Sequence, residues 1–208
     1  IRMVTGVQTC ALPISYCPVS PAYSLLSQDF AKLRHVCDLL QPGLVFVSDA
    51  AAYQRAIDAV LPAETPLISV RGHVPGRAQV SFASLLQTPG GSAADQAFNA
   101  TGPDSIAKFL FTSGSTKLPK AVITTQRMLC ANQQMLLQTF PVFGEEPPVL
   151  VDWLPWNHTF GGSHNVGIVL YNGGTFYLDA GKPTAQGFAE TLRKDRKSTR
   201  LNSSHHPD

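Results

Sequence analysis

The chain has 208 residues, 44% of them hydrophobic and 14% charged, enough apolar content to build a core and too much for a disordered chain. A net charge of +2 does not suit a nucleic-acid binder, and no apolar run is long enough for a membrane span. Four cysteines without close pairing point to neither a disulfide framework nor a metal-ligating set; reduced thiols fit a cytoplasmic protein.

The stretch from Val4 to Ser15 has the look of a weak signal peptide, but its apolar block is short and broken by Gln8, Thr9 and Pro13. Ser27 can cap a helix over residues 28–40, with Phe30, Leu33, Cys37 and Leu40 on one apolar face. His35 falls off that face and reads as a surface or rim residue rather than a ligand. Pro42 and Gly43 end the helix. Residues 44–47 form a wholly apolar strand, 50–61 a second helix, 66–70 a second strand and 82–86 one or two helical turns. This alternation predicts an α/β fold, a mostly parallel sheet flanked by helices with right-handed crossovers. Residues 87–103, rich in Gly, Pro, Ala and Ser, read as a loop or linker.

Next come an apolar run, Phe109, Leu110 and Phe111, and then Thr112, Ser113, Gly114, Ser115, Thr116, Lys117, Leu118, Pro119 and Lys120. A second apolar run begins at Ala121. Gly114 lets the backbone approach a ligand, and successive N–H groups with the flanking hydroxyls can converge on phosphate oxygens. Lys120 adds positive charge. The spacing is not that of the Walker loop, which places Gly-Lys-Ser/Thr at the mouth of a helix. A plain strand-turn-strand rich in Ser and Thr uses the same residues, so on the residues alone both readings stand.

Residues 124–140 read as a long helix burying Met128, Leu129, Met135, Leu136 and Phe140. Residues 141–148 break the chain, and 149–154 form a strand with one charge, Asp152. Immediately after it stand Pro155, Trp156, Asn157, His158, Thr159, Phe160, Gly161 and Gly162, where open α/β sheets place ligands. The alternative is a buried, hydrogen-bonded His158 with Trp156 and Phe160 packed in the core. A glycine-containing helix over 161–171, a turn at 172–174, a strand over 175–178 and a helix over 183–193 complete the pattern.

The loop resembles the phosphate-binding signature of adenylate-forming acyl-CoA synthetases, Thr-Ser-Gly-Ser/Thr-Thr-Gly-x-Pro-Lys. It matches at Thr112, Ser113, Gly114, Ser115, Thr116, Pro119 and Lys120, and departs at Lys117, where the family usually has glycine. Lys117 and the residues after it resemble the feruloyl-CoA synthase branch, as do residues 18–24. Pro155, His158 and Gly161 resemble the family's second motif, Pro-x-x-His-x-x-Gly. The resemblance implies part of the large N-terminal domain of an enzyme that joins a carboxylic acid to AMP from ATP and then passes the acyl group to coenzyme A. Thr112, Ser113, Gly114, Ser115, Thr116 and Lys120 would hold the phosphates, with Mg2+ bridging phosphate oxygens. His158 would act catalytically at the carboxylate, in a substrate pocket shared with Trp156, Asn157, Gly161 and Gly162.

The resemblance implies small-molecule partners: an aromatic acid such as ferulate or, alternatively, a medium- or long-chain fatty acid, with ATP and CoA. A non-catalytic nucleotide-binding module is the other class of reading. The family's Tyr-Gly-x-Thr-Glu motif, its later Thr-Gly-Asp segment and its lysine-bearing lid are not found in the 208 residues, so the expectation is that this chain alone does not adenylate. Residues 1–15 and 194–208 resemble translated sequencing-adapter read-through, which would make 16–193 the native portion.

Overall fold

The computed structural model describes residues 14–112 and 118–179. They fall into two compact units. One comprises Val19–Asp95 with Phe111–Ala121; the other comprises Gln96–Leu110 with the described parts of Ile1–Pro18 and Val122–Asp208.

In the first unit a single turn, α1 (Ala22–Leu25), leads to α2 (Ala31–Leu40). The helix begins at Ala31 rather than at 28. The hydroxyl of Ser27 accepts from the Phe30 amide at 3.0 Å and Asp29 accepts from the Ala31 amide at 3.1 Å, so this local turn takes the amides a capping serine would otherwise extend into a helix. Phe30 sits at φ 54°, a left-handed conformation that an extra turn of helix would not permit. Phe30 and Leu33 are buried and Cys37 is half-buried, as the periodicity predicts, with Val36 added to the buried set.

Strand β1 (Val45–Asp49) passes directly into α3 (Ala50–Val60), because the Asp49 carboxylate accepts from the Ala52 amide at 3.3 Å and caps the helix. Strand β2 (Leu67–Arg71) pairs parallel to β1, and a short β3 (Gln79–Ser81) pairs parallel to β2. The Arg77 guanidinium donates to the carbonyls of Ile57, Leu61 and Pro62 at the carboxyl end of α3, satisfying carbonyls the helix leaves open. Leu67 and Ala50 are fully buried between sheet and helix, with Ile57, Val60 and Val74 around them. Ser81 caps the short α4 (Phe82–Leu85). The segment 87–103 is not all loop: Gly90 and Gly91 are followed by α5 (Ser92–Asn99), whose alanines and Gln96 favour helix without burying any residue.

Strands β4 (Ile106–Thr112) and β5 (Lys120–Thr125), most of whose residues belong to the second unit, form a two-stranded sheet, and the Thr125 hydroxyl caps α6 (Gln126–Thr139). The inward face of α6 is only partly the one expected: Leu129 and Leu136 are half-buried. Met128 and Met135 are 56% and 57% exposed, Phe140 is exposed, and the buried residue is Gln133. Apolar spacing marks a helical face but not which neighbour covers it; here the α6 face carrying Gln133 meets Gly167 and Ser163. The 141–148 break holds one helical turn, α7 (Val142–Glu145). Strand β6 (Val149–Asp152) is followed by a π-helix (Phe160–Asn165), α8 (Val166–Tyr171) and β7 (Thr175–Leu178), the last parallel to β6. Residue ranges, parallel pairing and flanking helices agree with the predicted α/β class. The helix predicted over 183–193 lies outside the described residues.

Candidate functional site

The hydroxyl-rich loop is framed by its two strands. Thr112 ends β4 and Lys120 opens β5, both side chains exposed. Ser113, Gly114, Ser115 and Thr116 lie outside the described residues. The closing end of the loop is pinned from α2: His35 donates from Nε2 to the Pro119 carbonyl at 3.0 Å, one residue before Lys120. His35 is half-buried and hydrogen-bonded, the rim position its place off the apolar face suggested. Sequence periodicity could not show the bond, because Pro119 lies 84 residues away.

Trp156, Asn157 and His158 lie in the tight turn between β6 and the π-helix, and Gly161 and Gly162, in the first turn of that helix, pack against the backbone of the tight turn. The His158 amide donates to the Pro155 carbonyl at 3.1 Å, and the Gly162 amide to the His158 carbonyl at 2.8 Å. The His158 side chain is exposed and has no hydrogen-bond partner among the described residues. Trp156 and Phe160 are exposed too, so the core-packed alternative for this turn does not hold. Trp156 packs edge-on to Phe176 of β7, with ring centroids 6.3 Å apart.

The two glycines have a steric reason. A methyl group at Gly161 would stand 2.8 Å from the Pro155 carbonyl oxygen, and one at Gly162 would overlap the Trp156 carbonyl. Both approaches are backbone against backbone, so no side chain can move aside. A π-helix of this kind is uncommon and frequently sits at functional sites.

Two buried charged groups hold the turn from beneath. Lys108, on β4, is 1% exposed, and its Nζ donates to the Gly162 carbonyl at 2.6 Å. Tyr16 contributes its ring face 6.0 Å from Nζ, and its backbone pairs beside Lys108 on β4. No carboxylate pairs with Lys108 among the described residues. Burial pushes the ammonium from its ordinary 10.5 down to about 8. Asp152 is also buried; one carboxylate oxygen accepts from the Leu154 amide at 2.8 Å and the other from the Asn165 side chain at 2.9 Å. Asn165 in turn meets His164 Nδ1 at 2.8 Å. Lys108, His164 and Asn165 were not singled out from the sequence. The available signal was a single charge in an apolar strand, which Lys108 shows in β4 as Asp152 does in β6.

Among the described residues no cluster of His, Cys, Asp and Glu could hold a metal ion, and no helix is long and apolar enough to cross a membrane.

The chain is 38% identical over 78 residues to the medium-chain-fatty-acid–[acyl-carrier-protein] ligase TtuA of Teredinibacter turnerae, a match covering 38% of this chain and 12% of the ligase. The fold is similar to the adenylation domain of a keto acid-selecting NRPS module bound to keto acyl adenylate, at 22% identity and a TM-score of 0.60 over 88% of this chain and 30% of that one. It is also similar to ATP-bound MatB from Rhodopseudomonas palustris, at 20% identity and a TM-score of 0.54 over 81% and 31%. A third likeness is the luciferase-like enzyme of the nonluminescent mealworm Zophobas morio, at 20% and 0.55 over 79% and 37%. The chain thus spans about a third of these structures and an eighth of the curated ligase. The model of the AMP-binding enzyme family matches residues 11–199, nearly the whole chain, and the chain accordingly belongs to the AMP-binding enzyme family.

Proposed function

We propose that this chain is the nucleotide- and acid-binding part of an enzyme that activates a carboxylic acid as its acyl adenylate. The observation that carries this reading is the family match across residues 11–199, which contains both motif stretches. Thr112, Ser113, Gly114, Ser115, Thr116 and Lys120 are assigned to the phosphates of ATP, with Lys120 offsetting the charge that develops on them. The acid's carboxylate attacks the α-phosphorus and pyrophosphate leaves; a thiol, such as that of coenzyme A, then displaces AMP. Mg2+ is assigned to the nucleotide rather than to described side chains, since none forms a cluster for it. His158, exposed in the turn after β6, is assigned to the carboxylate, and Trp156, Asn157, Gly161 and Gly162 to its surroundings.

Calorimetric titration of the chain with ATP and Mg2+ tests the reading: saturable binding that Lys120→Ala weakens about tenfold is expected, consistent with loss of a charge-assisted contact. Binding that Lys120→Ala leaves unchanged would remove Lys120 from the phosphate site. Turnover is a separate expectation: without the three family segments absent from its sequence, the chain alone should give no ATP–pyrophosphate exchange. The acid is either an aromatic acid of the ferulate type or, as the identity to a medium-chain-fatty-acid ligase favours, a fatty acid.

A further inference from the structure

Since the His158 side chain has no hydrogen-bond partner among the described residues, its place is set by its main chain. The His158 carbonyl accepts from the Gly162 amide at 2.8 Å. The Gly162 carbonyl in turn accepts from Lys108 Nζ at 2.6 Å. Gly162 also stands hard against the Trp156 carbonyl, which a methyl group there would overlap. Gly162 is thus the contact through which Lys108 reaches both Trp156 and His158. Among the described residues, Lys108 supplies the only side chain hydrogen-bonded to the segment 155–162.

Residue 108 need not be charged to fill its place. It is 1% exposed in a strand whose residues 106–111 are otherwise apolar, where methionine would occupy the same volume without taking an ammonium out of water. No carboxylate among the described residues offsets the charge, which meets only the Tyr16 ring face besides Gly162. What the ammonium adds over an apolar side chain is one short, charge-assisted bond to one carbonyl. Resting on the reading of this chain as an acid-activating enzyme, we propose that Lys108 is a positioning residue: through the Gly162 carbonyl it sets where His158 and Trp156 stand, and so governs the hold on the acid without touching acid or nucleotide. A group held in place by main chain alone shifts when the main chain loses its anchor, and small displacements of such groups are costly.

The test compares the full chain with its Lys108→Met variant by tryptophan fluorescence, by NMR of the His158 ring, and by calorimetry with ATP and Mg2+, with decanoate and with cinnamate. Both tryptophans of the chain, Trp153 and Trp156, stand between β6 and the π-helix, so the emission reports this segment. In the folded variant the emission and the His158 resonances are expected to shift. Affinity for whichever acid the wild type binds should fall about fivefold or more, while ATP affinity stays within about twofold. A merely structural lysine would change the urea midpoint and leave the signals of the folded chain where they are. Signals and acid affinity that match the wild type overturn the assignment of Lys108, and so does an ATP affinity that falls along with that for the acid. Wild-type binding of neither acid overturns the acid-activating reading on which the proposal rests, whatever the spectra show. If Lys108→Met does not fold, NMR of the wild-type ammonium decides: protons that exchange slowly and couple to the Gly162 carbonyl are expected, and a fast-exchanging, freely rotating ammonium overturns the proposal.

Discussion

Replacing Lys108 by methionine keeps the volume of the side chain and removes its charge. In the folded chain the ammonium gives up its proton near pH 8, whereas in the unfolded chain it does so near 10.5. Between these values the unfolded state binds more protons, so the wild-type chain gains stability as pH rises. At about 1.4 kcal/mol per unit, the difference amounts to roughly 3 kcal/mol. Below pH 8 that sum is a constant cost of burying the charge, and the methionine variant escapes it. The variant also leaves the Gly162 carbonyl, 2.6 Å from Nζ, without its donor, at about 1–3 kcal/mol.

The expected outcome is a variant as stable as the wild type near neutral pH, or up to about 2 kcal/mol more stable, and less stable near pH 10. Urea unfolding followed by the fluorescence of Trp153 and Trp156 at several pH values measures this. Burial raises the pKa of Tyr16 and of Cys37, which gives a slope of opposite sign in both proteins. Repeating the pair in a Tyr16→Phe background removes the one of these that faces Lys108. Stability curves that run parallel from neutral pH to pH 10 would refute a Lys108 whose charge is suppressed by burial.

Three further outcomes are expected. Gly162→Ala should cost about 3 kcal/mol, seen as a lower urea midpoint at unchanged slope, because the added methyl overlaps the Trp156 carbonyl; Gly43→Ala, with nothing within 4 Å, should be neutral or mildly stabilising. His35→Ala should leave the Pro119 carbonyl unheld and weaken ATP binding several-fold in calorimetry, with His35→Gln recovering part of it as an alternative donor. Lys120→Ala should lower ATP affinity more than Lys117→Gly does, and the reverse ranking would move the phosphate contact to Lys117.

What could be read along the chain was whatever repeats or ends locally. The apolar runs of β1 and β2, alternating with helical stretches, announced a parallel sheet, because each depends on neighbours a few residues away; they did not show that Phe46 and Val70 would stay about half exposed. Both motif stretches were visible for the same reason, and Gly161 and Gly162 were already conspicuous as a pair. The loop's own residues, Ser113 to Thr116, rest on that sequence pattern alone.

Tertiary structure decided everything that depends on a partner far away in the sequence. Lys108 meets Gly162 across 54 residues and His35 meets Pro119 across 84. The buried face of α6 turned on Gly167 and Ser163 lying against Gln133, which overrode the apolar spacing of Met128 and Met135. Asn165 links His164 to Asp152, which lies 13 residues before Asn165 and on another element. A sequence states which groups can donate, accept or carry charge; only the packing determines which of them meet out of water, where a single missing partner costs as much as the whole contact contributes.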